Sequence, residues 1–220
     1  MLRVLYEDNH IIAVYKPAGI LVQAGDRKSG NLMDEVKKYI KEKYKKEGNV
    51  FLGLVHRLDR PVCGIVVFAK TSKGASRLSE QFRSREIKKI YIALVEGRVS
   101  GTGDLMHFIK KDPDRLTAIV QDSPSADYQR AELSYRVLKS GDKTSLLNIN
   151  LKTGRFNQIR AQLAHVGHPI IGDKKYGAKT KLSEGAIGLC ATEITFKTAT
   201  TDELKTIKID YPREWDLMLI

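Results

Sequence analysis

The segment from Leu54 to Gly64 (LVHRLDRPVCG) concentrates side chains that could perform chemistry. It holds a single carboxylate, Asp59, among two arginines and His56. Apolar runs at 50–55 and 65–69 predict a strand on either side, and a proline and a glycine favour a turn between them. A carboxylate held on such a loop can act as a nucleophile or a general base. The same residues could instead form a surface ion pair worth about 0–1 kcal/mol.

The overall charge favours a polyanionic partner. Lysine and arginine total 38 against 26 acidic residues, which gives a formal charge of +12, and such an excess most often indicates nucleic-acid binding. Part of it has another origin, because the lysine-rich run at 37–46 reads as the solvated face of a helix. No apolar run approaches the length of a membrane span, and the first eight residues lack a signal-peptide core. We therefore expect a cytoplasmic protein with no membrane partner.

The two cysteines, Cys63 and Cys190, are far apart in the sequence and have no metal-site spacing. They indicate reduced thiols in core positions, with neither a disulfide nor a zinc site. His165 and His168 stand three residues apart, but no third ligand lies near them in the sequence. We therefore predict no metal and no cofactor.

The pattern of apolar residues predicts an α+β protein, in which a large mixed and mostly antiparallel sheet is flanked by helices and loops. No linker, repeat or low-complexity tract divides the chain, so we expect one domain over 1–220. The predicted helices cover 29–46, a segment capped by Thr71 or Ser72, and 157–167. The predicted strands cover 10–16, 20–23, 50–55, 65–69, 89–97, 104–109, 115–121, 131–138, 145–152, 187–191, 194–198 and 205–211.

Four motifs in order give the chain a wider resemblance. They are His56-Arg57-Leu58-Asp59 with Gly64, the strand 89–97 (KIYIALVEG), the segment 153–160 (TGRFNQIR) and the segment 167–173 (GHPIIGD). The chain resembles the RluA-type family of RNA pseudouridine synthases in these motifs. Three positions differ, because the family usually has histidine where this chain has Asn157 and Gln162, and commonly has it at Cys190; we expect these side chains to form hydrogen bonds within the protein or to RNA.

The resemblance implies an isomerase that detaches uracil from its ribose in RNA, rotates the base and rejoins it through carbon. By this resemblance Asp59 is the catalytic carboxylate, and three roles stay open for it: attack on the ribose, attack on the base, or removal of a ribose proton. The family pattern makes Arg160 the partner that keeps Asp59 ionised. It also makes Tyr91 the residue that stacks on the target uracil and relays a proton.

RNA contacts are assigned to a second set of residues. A base inside folded RNA must leave its stack to reach a carboxylate, and the flat guanidinium of Arg57 suits the gap left behind. We expect His56 to orient its loop as well. The predicted RNA-binding residues are Arg57, His56, Arg155, Gln158, Lys88 and Lys89.

The leading hypothesis is therefore a pseudouridine synthase acting on structured transfer or ribosomal RNA, with a stem-loop as the plausible target. We expect a monomer, with no S4-like RNA-binding module before residue 7. The alternative is an RNA-binding or chaperone protein on the same scaffold with little turnover. A hydrolase that only removes the base is disfavoured, because most glycoside hydrolases use two catalytic carboxylates and the resemblance assigns a catalytic role to one, Asp59.

Overall fold

The structure is a computed structural model and describes residues 2–24, 30–183 and 185–219. The contacts divide the chain into two compact units, Met1–Ile87 with Glu193–Ile209, and Lys88–Thr192 with Asp210–Ile220. Eleven strands and three α-helices occur in the described ranges, which confirms the α+β class. That the two units act as one catalytic domain stays a prediction.

The first unit is built around strand β2, whose residues are almost all buried. Antiparallel pairing joins β2 to β1 and β4, while β3 pairs with β4 and β11 with β10. The strands are β1 (Val4–Glu7), β2 (Ile11–Lys16), β3 (Gly53–Leu54), β4 (Cys63–Ala69), β10 (Leu189–Lys197), which enters from the second unit, and β11 (Leu204–Lys208). The register pairs Lys16 with Gly64, so the end of β2 lies beside the loop that precedes β4.

Two capped helices belong to this unit, α1 (Leu32–Lys43) and α2 (Ser72–Arg83). The side chain of Asn31 accepts from the backbone of Asp34, and that of Thr71 accepts from Gly74, so each satisfies an N–H group that a helix start leaves unpaired. The capping role of Thr71 is as predicted. The predicted start of α1 at residue 29 lies outside the described residues.

The second unit is an antiparallel sheet with one helix against it. Its strands are β5 (Lys88–Glu96), β6 (Thr102–Asp112), β7 (Thr117–Gln121), β8 (Gln129–Ser140) and β9 (Thr144–Leu151), and they lie in the order β5-β9-β8-β6-β7. Helix α3 (Gln158–His165) packs through Ala161 against the buried Ile109, Ala118 and Ala131 of these strands.

The C-terminal 3-10 helix, Arg213–Met218, also belongs to the second unit. It carries the only tryptophan of the chain, Trp215, which is 2% exposed and stacks on Tyr211. The hydroxyl of Thr144 donates to the carbonyl of Met218, and Lys139 pairs with Asp216 at 2.7 Å. These contacts fasten the helix to the ends of β8 and β9.

Several predicted strands differ from the observed ones. The strand predicted at 20–23 is reduced to a single bridge between Leu21 and Asn31, and that at 50–55 is reduced to two residues. The segments 187–191 and 194–198 form one strand, β10. The longest helices have 12 residues, and none in the described part of the chain is long and apolar enough to cross a membrane.

Candidate active site

The loop that carries Asp59 is anchored by apolar side chains. Leu58 is 7% exposed and Val62 is 2% exposed, and the N–H of Val62 donates to the carbonyl of Asp59 at 3.1 Å. Asp59 itself is half-buried, while Arg57 is exposed. The loop thus fixes the backbone on both sides of the carboxylate and presents Arg57 to solvent.

His56 is held at the beginning of this loop. Its Nε2 accepts a hydrogen bond of 2.9 Å from the N–H of Val67. Its ring stacks on Phe82, with centroids 4.9 Å apart and planes inclined by 26°. These contacts orient the loop against β4 and α2, and Nε2 is engaged as an acceptor.

A buried lysine, Lys16, supports the same loop from β2. It is 0% exposed, and its ammonium donates to three carbonyls, those of Pro17 at 3.0 Å, Ile20 at 2.9 Å and Arg60 at 3.1 Å. Burial lowers the pKa of Lys16 to about 8, although the charges of Cys63 and Asp59 act in the opposite direction. The lysine therefore ties the residue after Asp59 to the turn that follows β2.

Tyr91 lies in the second unit, on strand β5. It is 9% exposed and faces Ile149 of β9 in the antiparallel register. Pairing of β5 with β9 therefore fixes the backbone at Tyr91.

Arg160, also in the second unit, makes a buried two-pronged ion pair that the sequence did not reveal. Its Nε donates to Asp173 Oδ2 at 2.6 Å and its Nη2 donates to Oδ1 at 2.9 Å. The side chains are 7% and 2% exposed. Such a pair fixes the plane of the guanidinium, so Asp173 positions Arg160.

Tyr176 completes this arrangement. Its ring centroid lies 5.1 Å from the Arg160 guanidinium carbon, and its hydroxyl accepts from the N–H of Ala118 at 2.7 Å and the amide of Asn157 at 3.0 Å. Burial raises the pKa of Tyr176 in spite of these two donors. Asn157 thus forms a bond within the protein, one of the two outcomes expected for it.

The turn before α3 is organised by Gln158, which is 3% exposed. Its Oε1 accepts from the Thr153 hydroxyl at 2.8 Å and from the Arg155 N–H at 3.0 Å, and its Nε2 donates to the carbonyl of Glu132 at 3.1 Å. A direct RNA contact by Gln158 would require it to leave these partners. Its predicted role in RNA binding stays a prediction.

Cations and one aromatic ring surround this turn. The half-buried Arg155 donates from Nε to the carbonyl of Arg130 at 3.0 Å. Lys88 is exposed and Lys89 half-buried, and the Nζ of Lys89 would lie 3.5 Å from a Cβ placed on Gly154. Phe156 is 36% exposed, with the Lys111 ammonium 5.2 Å from its ring centroid.

The predicted site residues therefore fall into two groups, one in each unit. Asp59, His56 and Arg57 belong to the first unit, whereas Tyr91, Arg160, Arg155, Gln158, Lys88 and Lys89 belong to the second. Sequence reasoning assigned no role to Lys16, Asp173 or Tyr176. For Asp173 the available signal is its place at the end of the motif 167–173, whereas Lys16 and Tyr176 lie outside the four motifs.

The fold is that of pseudouridylate synthase domains among solved structures. The chain superposes on "Human RNA Pseudouridylate Synthase Domain Containing 4" with a TM-score of 0.80, 23% identity and coverage of 97% of this chain and 90% of that one. A second human protein, "RNA Pseudouridylate Synthase Domain Containing 1", gives a TM-score of 0.77, 20% identity and coverage of 99% and 87%. These likenesses establish the fold.

The family follows from sequence. The family described as RNA pseudouridylate synthase matches residues 10–165, and the chain belongs to this family. It is 35% identical over 179 residues to "Ribosomal large subunit pseudouridine synthase D" of Nitrosomonas europaea, covering 80% of this chain and 50% of the relative. It is 29% identical over 235 residues to "tRNA pseudouridine synthase C" of Pectobacterium carotovorum, covering 98% and 60%. The chain spans about half the length of the curated relatives it matches.

Proposed function

We propose that this chain is an RNA pseudouridine synthase, which isomerises specific uridines in structured transfer or ribosomal RNA after flipping the target base out of its stack. The observation that carries the proposal is that Asp59 stands in the His56-Arg57-Leu58-Asp59 motif, inside the region that matches the family. Relatives named for ribosomal RNA and for transfer RNA both match. The formal charge of +12 suits an RNA substrate.

In this proposal Asp59 performs the chemistry. Under a bound base the carboxylate loses its contact with water, which disfavours its charged form. A nearby guanidinium favours the charged carboxylate, and we assign that task to Arg160. An arginine has five N–H donors, so Arg160 can donate to Asp173 and to a second carboxylate at the same time.

The remaining residues serve substrate binding. Tyr91 stacks on the flipped uracil, a contact worth about 1–3 kcal/mol per base, and its hydroxyl relays the proton released from the base. Arg57, exposed on its loop, fills the gap in the RNA stack. Arg155, Lys88 and Lys89 contact phosphates, which position the RNA without reading its sequence. No cofactor is required by this scheme, and the expected monomeric state and cytoplasmic location stay predictions.

The test is an incubation with unmodified transcripts of transfer and ribosomal RNA, followed by digestion to nucleosides and chromatography. We expect pseudouridine from the wild-type protein. Asp59→Asn should bind the same RNA and yield no product. The matched control is Asp142→Asn, which alters an aspartate that is 89% exposed and should leave turnover unchanged. Release of uracil, or RNA binding with no product from the wild-type protein on either RNA class, would contradict the proposal.

A further inference from the structure

Three potential metal ligands converge in the second unit. His107 lies on β6, Asp122 directly follows β7, and His165 ends α3. Their ligand atoms all lie within 4.8 Å of one another. Oδ1 of Asp122 is 2.9 Å from Nε2 of His165 and 3.7 Å from Nε2 of His107. The cluster therefore joins two imidazoles and one carboxylate from three elements.

The fold brings these residues together across long sequence separations. The antiparallel register pairs Phe108 of β6 with Gln121 of β7, which sets the neighbours His107 and Asp122 close to each other. The packing of Ala161 on the sheet then places the end of α3 beside them. The two imidazole rings meet edge to face, with centroids 5.0 Å apart and planes inclined by 75°.

The polar side chain behind His107 can serve a metal ligand after one change of orientation. Metal-bound histidines usually donate their second ring N–H to an acceptor, which fixes the ring. Gln162 lies on that side, with its amide nitrogen 3.0 Å from His107 Nδ1 and 3.2 Å from the Ala131 carbonyl. Its side chain is fully buried, and its Oε1 has no hydrogen-bond partner among the described residues. Binding of an ion through Nε2 places the ring proton on Nδ1, so the amide must rotate to present Oε1 and give up its bonds to the carbonyls of Ala131 and Leu105.

We propose that His107, Asp122 and His165 bind a divalent transition-metal ion, for which Zn²⁺ is the best fit. Two imidazole nitrogens and one carboxylate oxygen, with a fourth position open to water, form a common zinc coordination set. With bonds of about 2.0–2.2 Å, two ligands of one tetrahedral ion lie about 3.3 Å apart, and the observed 2.9 and 3.7 Å lie on either side of this value. In the sequence only His168 stands near His165 as a second possible ligand, and that pattern predicted no metal.

The bound ion would link the end of α3 to the β6–β7 hairpin through its coordination bonds. Arg160 lies five residues before His165 on the same helix, so the ion would steady the element that carries this residue. The inference does not depend on the proposed function, because the three ligands and Gln162 take no part in the proposed chemistry.

The experiment uses the full chain without a histidine tag, stripped of metal by a chelator. Zn²⁺ is titrated by calorimetry, and Co²⁺ is used as a spectroscopic probe. We expect one ion per chain with micromolar or tighter affinity, a cobalt absorption spectrum typical of nitrogen and oxygen ligands, and a higher melting temperature with Zn²⁺.

Two variants at accessible ligands keep the test independent of folding, since Asp122 is 78% exposed and His165 is 32% exposed. Asp122→Asn and His165→Asn should each weaken Zn²⁺ binding at least tenfold and keep the metal-free melting temperature within a few degrees. The matched control is His168→Asn, which removes a histidine outside the cluster and should bind as the wild type does. An absence of binding to the wild-type chain, or equal affinity in all variants, would overturn the proposal.

Discussion

The ammonium of Lys16 is buried beneath the loop of Asp59, and this burial should make stability depend on pH in the alkaline range. The charged form is satisfied by three carbonyls but has no exposure to water. Lys16→Met keeps a side chain of similar length and removes the titrating group. The quantity of interest is the difference in free energy of unfolding between wild type and variant, followed across pH.

The direction and the magnitude of this pH dependence both follow from the lowered pKa of Lys16. The pKa of Lys16 falls from 10.5 in the unfolded chain to about 8 in the folded one. Between these values the folded protein has released a proton that the unfolded chain still holds, so stability rises with pH. At 1.36 kcal/mol per pKa unit, the full effect is about 3.4 kcal/mol, of which about 2.5 kcal/mol is gained between pH 7 and pH 10.

Urea unfolding at pH 7, 8, 9 and 10 measures this difference directly. The stability of the wild type relative to Lys16→Met should increase at each step. The matched control is Lys46→Met, which removes an exposed lysine and corrects for the loss of one positive charge. A difference that stays flat or shrinks as the pH rises, or that matches the control, would refute the assignment of a desolvated ammonium at position 16.

Four further outcomes follow from the site and its surroundings. Asp173→Asn breaks the buried ion pair between Asp173 and Arg160, so the free energy of unfolding should fall by about 3–5 kcal/mol in a denaturant titration; a loss below about 1 kcal/mol would contradict the described pair. Arg160→Lys keeps the charge but not the two-pronged geometry, so turnover should fall sharply with little change in RNA affinity; equal losses would argue against its role. Tyr91→Phe should keep RNA affinity and lower the single-turnover rate, and full activity would show that the hydroxyl is dispensable. Burial would raise the pKa of Glu7, but hydrogen bonds led by Lys43 and Lys70 lower it to about 2. Its stabilising effect is present above pH 4.5 and is lost as the pH falls towards 2, so Glu7→Gln should flatten the acid limb of the stability curve by about 1–2 kcal/mol after allowance for screening; identical acid limbs would contradict this.

The sequence correctly predicted those elements that are determined by interactions between residues close together in the chain. Thr71 was expected to cap α2 because its hydroxyl can satisfy an unpaired N–H, and it does so at Gly74. The apolar run along 89–97, ended by a glycine, predicted β5 to within one residue at each end. The motif containing Asp59 indicated a loop between strands, and the structure has that loop. In each case the deciding interaction lies within a few residues of the pattern.

Predictions failed where a structure is determined by contacts between residues that are distant in the sequence. β10 was predicted as two strands because Thr192 and Glu193 interrupt its apolar run, but pairing of Glu193 with Lys208 of β11 continues the strand through this point. The strand expected at 20–23 has a single bridge, since apolar residues alone do not supply a pairing partner. Asp173 was passed over because its contact with Arg160 depends on how the chain turns after α3. His107 and Asp122 meet only through the register of two strands.

Because Trp215 is the only tryptophan of the chain, its fluorescence is an intrinsic probe of unfolding. Trp215 is enclosed by the second unit, so its emission follows the melting of that unit, whereas circular dichroism averages over the helices and strands of both. Coincident curves from the two signals would mean that the chain unfolds cooperatively as one body. An offset between them would mean that the segment carrying Asp59 and the segment carrying Arg160 lose their structure at different denaturant concentrations.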